Sequence, residues 1–131
     1  METEVLDFRT KLFQPSLKGW VEQYISDRTT SGPIVIEFDP ATACNLLCPE
    51  CISGSLLNQG QFDLPRTLAL IDEFKRAGVR GVIFIGGGEP LAHKGMPAPI
   101  LRCHEHGIAV GLTTNGTLIG RYLKEISECV A

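Results

Sequence analysis

Residues 79–90 read Val-Arg-Gly-Val-Ile-Phe-Ile-Gly-Gly-Gly-Glu-Pro. Val79 to Ile85 is nearly all apolar, as in a strand of a parallel sheet covered on both faces. Gly86-Gly87-Gly88-Glu89-Pro90 closes it. Upstream, Asp63 can cap a helix from Leu64 to Ala77 whose apolar stripe is Leu64, Leu68, Ile71 and Phe74, and Gly78 stops it. Earlier still, Ile34 to Phe38 reads as a β-branched-rich strand ended by Asp39-Pro40, since proline cannot donate to a central ladder. Downstream, a shorter helix runs from about Ala98 to His106 before Gly107, followed by a strand from Ile108 to Thr113 and a turn over 114–117. A last helix starts at Leu118 with Ile119, Tyr122, Leu123, Ile126 and Val130 on one face. At the other end, residues 12–27 place Leu17, Trp20, Val21, Tyr24 and Ile25 on one helical face, and Thr29 to Pro33 reads as a turn.

One helix followed by three strand–helix units predicts an α/β fold with a parallel sheet in the order first–second–third strand, because short right-handed βαβ crossovers place successive strands side by side. The C-terminal strand ends, where parallel α/β folds place their chemistry, carry the cysteines, the glycine run and the Thr114-Asn115-Gly116 turn.

The composition is that of a globular chain: 131 residues, 44% hydrophobic and 21% charged. The net charge of −3 comes without a block of like charge, so neither a nucleic-acid partner nor a membrane surface is expected. The acidic N-terminus is unlike a secretory signal, and a cytoplasmic location is expected.

Of five cysteines, three crowd into Cys44-Asn45-Leu46-Leu47-Cys48-Pro49-Glu50-Cys51, inside a long connection over residues 41–62. An odd, clustered set is unlike a disulfide framework. Soft thiolates favour an iron–sulfur cluster or zinc. A closed zinc site wants four ligands, and no second cysteine pair exists, although His93, His104 or Cys103 could reach in from afar. Cys48-Pro49-Glu50-Cys51 also resembles a redox dithiol, but such sites start a helix, and Ile52-Ser53-Gly54-Ser55 starts one poorly. Cluster, zinc and dithiol all stay open on spacing alone. Cys103 and Cys129 read as packing residues, and His93, His104 and His106 as surface or helix-end residues.

The glycine run fits neither the dinucleotide fingerprint nor the phosphate loop. It reads as a strand-to-helix turn or, beside the cysteine loop, as a place where a ligand can approach bare backbone.

Cys44-x3-Cys48-x2-Cys51 after a first strand resembles the signature of the radical S-adenosylmethionine (radical SAM) superfamily. Gly87-Gly88-Glu89-Pro90 after the second strand looks like that family's second element, and Thr114-Asn115-Gly116 after the third is similar too. The resemblance covers residues 34–131 and implies a partial (βα) barrel, of which this chain supplies three of six units. It implies two parts, an N-terminal helical extension over 1–33 and the N-terminal half of the core domain, truncated, over 34–131. It implies that Cys44, Cys48 and Cys51 hold a [4Fe–4S] cluster whose open iron chelates S-adenosyl-L-methionine. Gly87, Gly88, Glu89, Pro90, Thr114 and Asn115 are then the cofactor-binding set, with no catalytic residue assigned. One electron from the cluster cleaves the cofactor's carbon–sulfur bond, and the 5′-deoxyadenosyl radical takes hydrogen from a peptide or small-molecule substrate. A reductant such as flavodoxin or ferredoxin is implied. Glu50 departs from the aromatic residue usual before the third cysteine. Outside the resemblance, the competing functions are a non-catalytic iron–sulfur or zinc module and a thiol oxidoreductase using Cys48 and Cys51.

Overall fold

The computed structural model describes residues 15–27 and 32–130. The chain divides into two units, Met1–Ser31 and Gly32–Ala131. In the first, α1 spans Pro15–Asp27, with Ile25 exposed and Val21 half-buried. The expected start of this helix at residues 12–14, most of the turn over 29–33, and the side chains of Leu17, Trp20 and Tyr24 lie outside the described residues.

The second unit runs β1 (Val35–Phe38), α2 (Leu64–Arg76), β2 (Gly81–Phe84), α3 (Pro97–Glu105), β3 (Ala109–Leu112) and α4 (Ile119–Ile126). The strands form one parallel sheet in the order β1-β2-β3, with Val35, Gly81 and Ala109 in register at one end and Phe38, Phe84 and Leu112 at the other. Each strand is shorter than its apolar run. The flanking residues, such as Val79 and Ile108, are buried as approaches to the sheet rather than members of its ladder. None of the described helices is long and apolar enough to cross a membrane.

Local chemistry sets the helix ends. The Asp63 carboxylate accepts from Arg66 N at 2.7 Å, satisfying one free donor of the first turn of α2. Gly78 and Gly107, at φ +81° and +67°, take the left-handed turns that end α2 and α3.

The core lies on one face of the sheet. Phe38, Val82, Phe84 and Val110 pack there against Ile71 of α2, Ile100 and Cys103 of α3, and Tyr122 and Ile126 of α4. Each such apolar side chain contributes about 1.5–3 kcal/mol relative to exposure. Thr67 of α2 is also fully buried; its hydroxyl donates to Asp63 O, which satisfies it within the helix. The opposite face carries Val35, Glu37, Ile83, Ala109 and Gly111, which are half-buried or exposed, so the described residues cover only one face of strands whose apolar runs suit cover on both.

The face of α4 also differs from the expectation. Tyr122 and Ile126 are buried and Leu118, Cys129 and Val130 pack on the core, whereas Ile119 and Leu123 are 39% and 52% exposed. The buried stripe follows the i, i+4 row through 118, 122 and 126, and 119 and 123 belong to the next row round the helix.

Candidate cofactor site

All three strands end at the same edge, and their following loops meet there. Residues 39–62 follow β1, 85–96 follow β2, and 113–118 follow β3. The first loop is closed at its base by an antiparallel bridge between Ala41 and Gln61 and by the bond from Phe62 N to Pro40 O. Thr42 staples it further. Its hydroxyl donates to Gly60 O and accepts from the amides of Gln59 and Gly60. Asn58, at φ +59°, turns its side chain so that Oδ1 accepts from Cys44 N at 3.1 Å. The long connection is therefore an organised loop with its own hydrogen bonds.

The second loop docks on the first through backbone. Glu89 N donates to Ala43 O at 2.7 Å. Gly88 has to be glycine for this approach, because a Cβ there would stand 2.2 Å from the Ala43 carbonyl oxygen. Asp39 adds a second tie. Its carboxylate accepts from Gly87 N at 2.5 Å and from Ala41 N at 3.2 Å. Part of the glycine run thus serves the approach of one loop to another.

The Glu89 side chain joins the third loop. It is 2% exposed, and its carboxylate accepts from Leu91 N at 2.9 Å, from the Thr114 hydroxyl at 2.7 Å and from Asn115 N at 2.7 Å. A buried carboxylate with three donors is well satisfied. Its oxygens are engaged by the chain itself, so a ligand beside this element would meet backbone.

Between the loops lies a cavity of about 270 Å³ lined by Cys44, Leu46, Cys48, Ile85, Gly86, Gly88, Glu89, Thr113, Thr114 and Asn115. Cys44, Cys48, Gly88, Glu89, Thr114 and Asn115 from the sequence-derived set line it. Cys51, Gly87 and Pro90 do not. Cys51 follows one turn after Cys48, its amide bonded to Cys48 O at 3.1 Å. Pro90 opens a short 3₁₀ turn, Pro90–Ala92, and is buried. Glu50 is exposed and stands off the cavity.

Cys44 and Cys51 are half-buried free thiols and Cys48 is exposed; among the described residues no three His, Cys, Asp or Glu side chains are gathered at metal-binding separation. The donor set nonetheless fits an iron–sulfur cluster with an open iron: three soft thiols within eight residues of one loop, with no fourth thiol on the cavity. Of the distant zinc candidates, His104 is exposed on α3, and His93 and Cys103 are engaged elsewhere. His93 ends the Pro90–Ala92 turn and is buried, with Nε2 at 3.1 Å from Phe62 O and Nδ1 accepting from Gly95 N at 3.2 Å, so it is a satisfied helix-end residue off the surface. Cys103 is in the core, where burial pushes its thiol up to about 12. His106 is half-buried, with Nε2 2.7 Å from Asp72 Oδ1. After Cys51 the chain forms turns and one 3₁₀ turn, Gly54–Leu56, rather than the α-helix on which a redox dithiol sits.

Sequence reasoning missed Asp39, Asn45, Thr42 and Asn58. Only Asp39 carried a local signal, since aspartate often bonds its own backbone two residues on.

A parallel α/β edge where a loop with three thiols meets a glycine loop is where such folds place a ligand site. The family model described as the radical SAM superfamily matches residues 39–130, and the chain belongs to that superfamily. It is 38% identical over 87 residues to a probable GTP 3′,8-cyclase of Archaeoglobus fulgidus, covering 66% of this chain and 29% of that protein. It is 31% identical over 100 residues to the mycofactocin maturase MftC of Mycobacterium tuberculosis, covering 76% of this chain and 25% of that one. The chain thus spans less than a third of the length of either relative. Among solved structures, SuiB of Streptococcus suis bound to S-adenosylmethionine superposes with a TM-score of 0.63 at 22% identity, over 88% of this chain and 27% of that one. BtrN superposes with a TM-score of 0.63 at 21% identity, over 74% and 46%. These likenesses support the α/β fold.

Proposed function

We propose that the strand-end cavity holds S-adenosyl-L-methionine beside a [4Fe–4S] cluster carried by Cys44, Cys48 and Cys51, and that the protein is a radical SAM enzyme acting on a peptide or small molecule. The observation that carries this reading is the shared cavity, which brings Cys44 and Cys48 together with Gly88, Glu89, Thr114 and Asn115 from three different loops. When bound, such a cluster supplies the single electron that breaks the cofactor's sulfonium carbon–sulfur bond. The chain's own residues hold and orient. The backbone at Gly86 and Gly88 offers a surface free of side chains, Ile85 and Leu46 supply apolar wall, and Thr114 and Asn115 are held at the rim by Glu89.

On this reading residues 34–131 are the N-terminal half of a core domain built as a partial (βα) barrel, and residues 1–33 are a helical extension. The reductant is a flavodoxin- or ferredoxin-type protein, and the location is cytoplasmic. SuiB has been solved bound to a precursor peptide, which supports keeping peptides among the substrate classes. Anaerobic reconstitution tests the reading. About four irons with matching sulfide are expected per chain, falling sharply in Cys44→Ala, Cys48→Ala and Cys51→Ala. Stoichiometric zinc without iron, from iron-replete cells, overturns it.

A further inference from the structure

Asn45 lies between the first two cysteines, and its side chain reaches residues 70 and 72 positions away. Its Nδ2 donates to the Thr117 hydroxyl at 2.8 Å, and its Oδ1 accepts from Asn115 Nδ2 at 3.1 Å. Thr117 closes the ring, since both its amide and its hydroxyl donate to Asn115 Oδ1, at 3.0 and 2.7 Å. The donors fix each other. The Thr117 amide can only donate, which makes the facing Asn115 atom its oxygen. Asn115 then presents its amide nitrogen to Asn45, and Asn45 presents its own nitrogen to Thr117. The ring hangs from the buried Glu89 carboxylate through Asn115 N.

We infer that Asn45 and Thr117 are positioning residues: their ring fastens the cysteine loop to the β3 loop, which Glu89 fastens to the glycine loop, so that the thiols and the glycine backbone keep one spacing across the cavity. This rests on the cofactor reading above, for which that spacing is the distance one ligand must bridge. The three loops have no covalent neighbour relation at this edge. The backbone tie from Glu89 to Ala43 joins the first and second, the ring joins the third to the first, and the Glu89 carboxylate joins the third to the second. Of the ring's members only Asn115 lines the cavity, so substituting Asn45 or Thr117 leaves the lining residues in place.

The test compares Asn45→Ala, Thr117→Val, their double variant and Thr117→Ser. In metal-free protein, amide hydrogen exchange at Asn115 and Thr117 should quicken about three- to tenfold in Asn45→Ala, the range expected for one lost hydrogen bond. The double variant should be no worse than the singles, because both remove one ring. Thr117→Ser should restore wild-type exchange. In reconstituted protein, iron content should hold while S-adenosylmethionine binds several-fold more weakly, read from its effect on the electron-spin spectrum of the reduced cluster. Iron uptake with unchanged exchange and an unchanged spectral titration overturns the positioning role alone. A double variant whose effects multiply overturns the shared ring. A wild-type protein that takes up no iron, yet shows the exchange coupling, sinks the cofactor reading and leaves the ring standing.

Discussion

Replacing Gly88 by alanine adds one methyl group where the chain has no space for it. The new Cβ would lie 2.2 Å from the Ala43 carbonyl oxygen, 2.6 Å from the Thr42 carbonyl carbon and 2.7 Å from the Ala43 carbonyl carbon. All three are backbone atoms, so no side chain can swing aside. Real Cβ contacts essentially never fall below 3.0 Å, so the segment must retreat by about 0.8 Å or more. That retreat breaks the 2.7 Å bond from Glu89 N to Ala43 O. The steric term is about 1–3 kcal/mol and the hydrogen bond about 1 kcal/mol, so Gly88→Ala should destabilise by about 2–4 kcal/mol. In a domain of this size the melting midpoint should fall on the order of 10–20 °C. Urea unfolding with amide exchange at Glu89 measures both effects. Gly120→Ala is the control: no atom lies within 4 Å of a Cβ there, and the position is in α4. It should stabilise by about 0.5–1 kcal/mol. A Gly88→Ala protein within about 0.5 kcal/mol of wild type, with its Glu89 amide still protected, would refute the docking of the two loops.

Glu89→Gln should cost about 1–3 kcal/mol by turning one buried acceptor into a donor that faces a donor; equal urea midpoints would deny the carboxylate its role. In metal-free protein Cys103 should resist iodoacetamide at a pH where Cys48 reacts, because burial holds its thiol near 12; labelling of both at one rate would contradict its place in the core. The Asp72 carboxyl is held below its ordinary 3.8 by its hydrogen bond to His106, with Arg102 beside it. A lowered folded value stabilises above the ordinary pKa and is lost as pH falls through the folded value. Below about pH 4, acid unfolding should therefore be steeper in wild type than in Asp72→Asn; superimposable curves would rule this out.

The strand–helix order was readable because each element carries its own period. The apolar runs mark β1, β2 and β3, and Asp63, Gly78 and Gly107 mark the ends of helices. Strand length was not readable, since an apolar residue approaching the sheet looks like one within its ladder. The faces of α4 were ambiguous for a similar reason: Ile119 and Leu123 continue an apolar stripe that packing leaves half in water. The cysteine cluster stood out by spacing, and the glycine run by composition, yet its meaning changed. Gly88 answers first to the Ala43 carbonyl, and the Glu89 carboxylate to Thr114 and Asn115. Asn45, Thr42 and Asn58 were invisible because side-chain bonds to residues distant in the sequence leave no local pattern. Thr42 meets Gly60 across 18 residues, and Asn45 meets Thr117 across 72.

That last separation has a consequence in time. A chain made at about 5–20 residues per second produces Asn45 on the order of 4–15 s before Thr117. In that interval the loop bearing Cys44, Cys48 and Cys51 can close on itself through Ala41 and Gln61, and later dock the glycine loop, but it cannot take its final fastening. The thiols of a newborn chain therefore stand on a loop tied at its base before the far rim exists to hold it. For the proposed cluster, loading and completion of the protein scaffold would be separate events, and the order in which a cell performs them would be open to whatever delivers the iron.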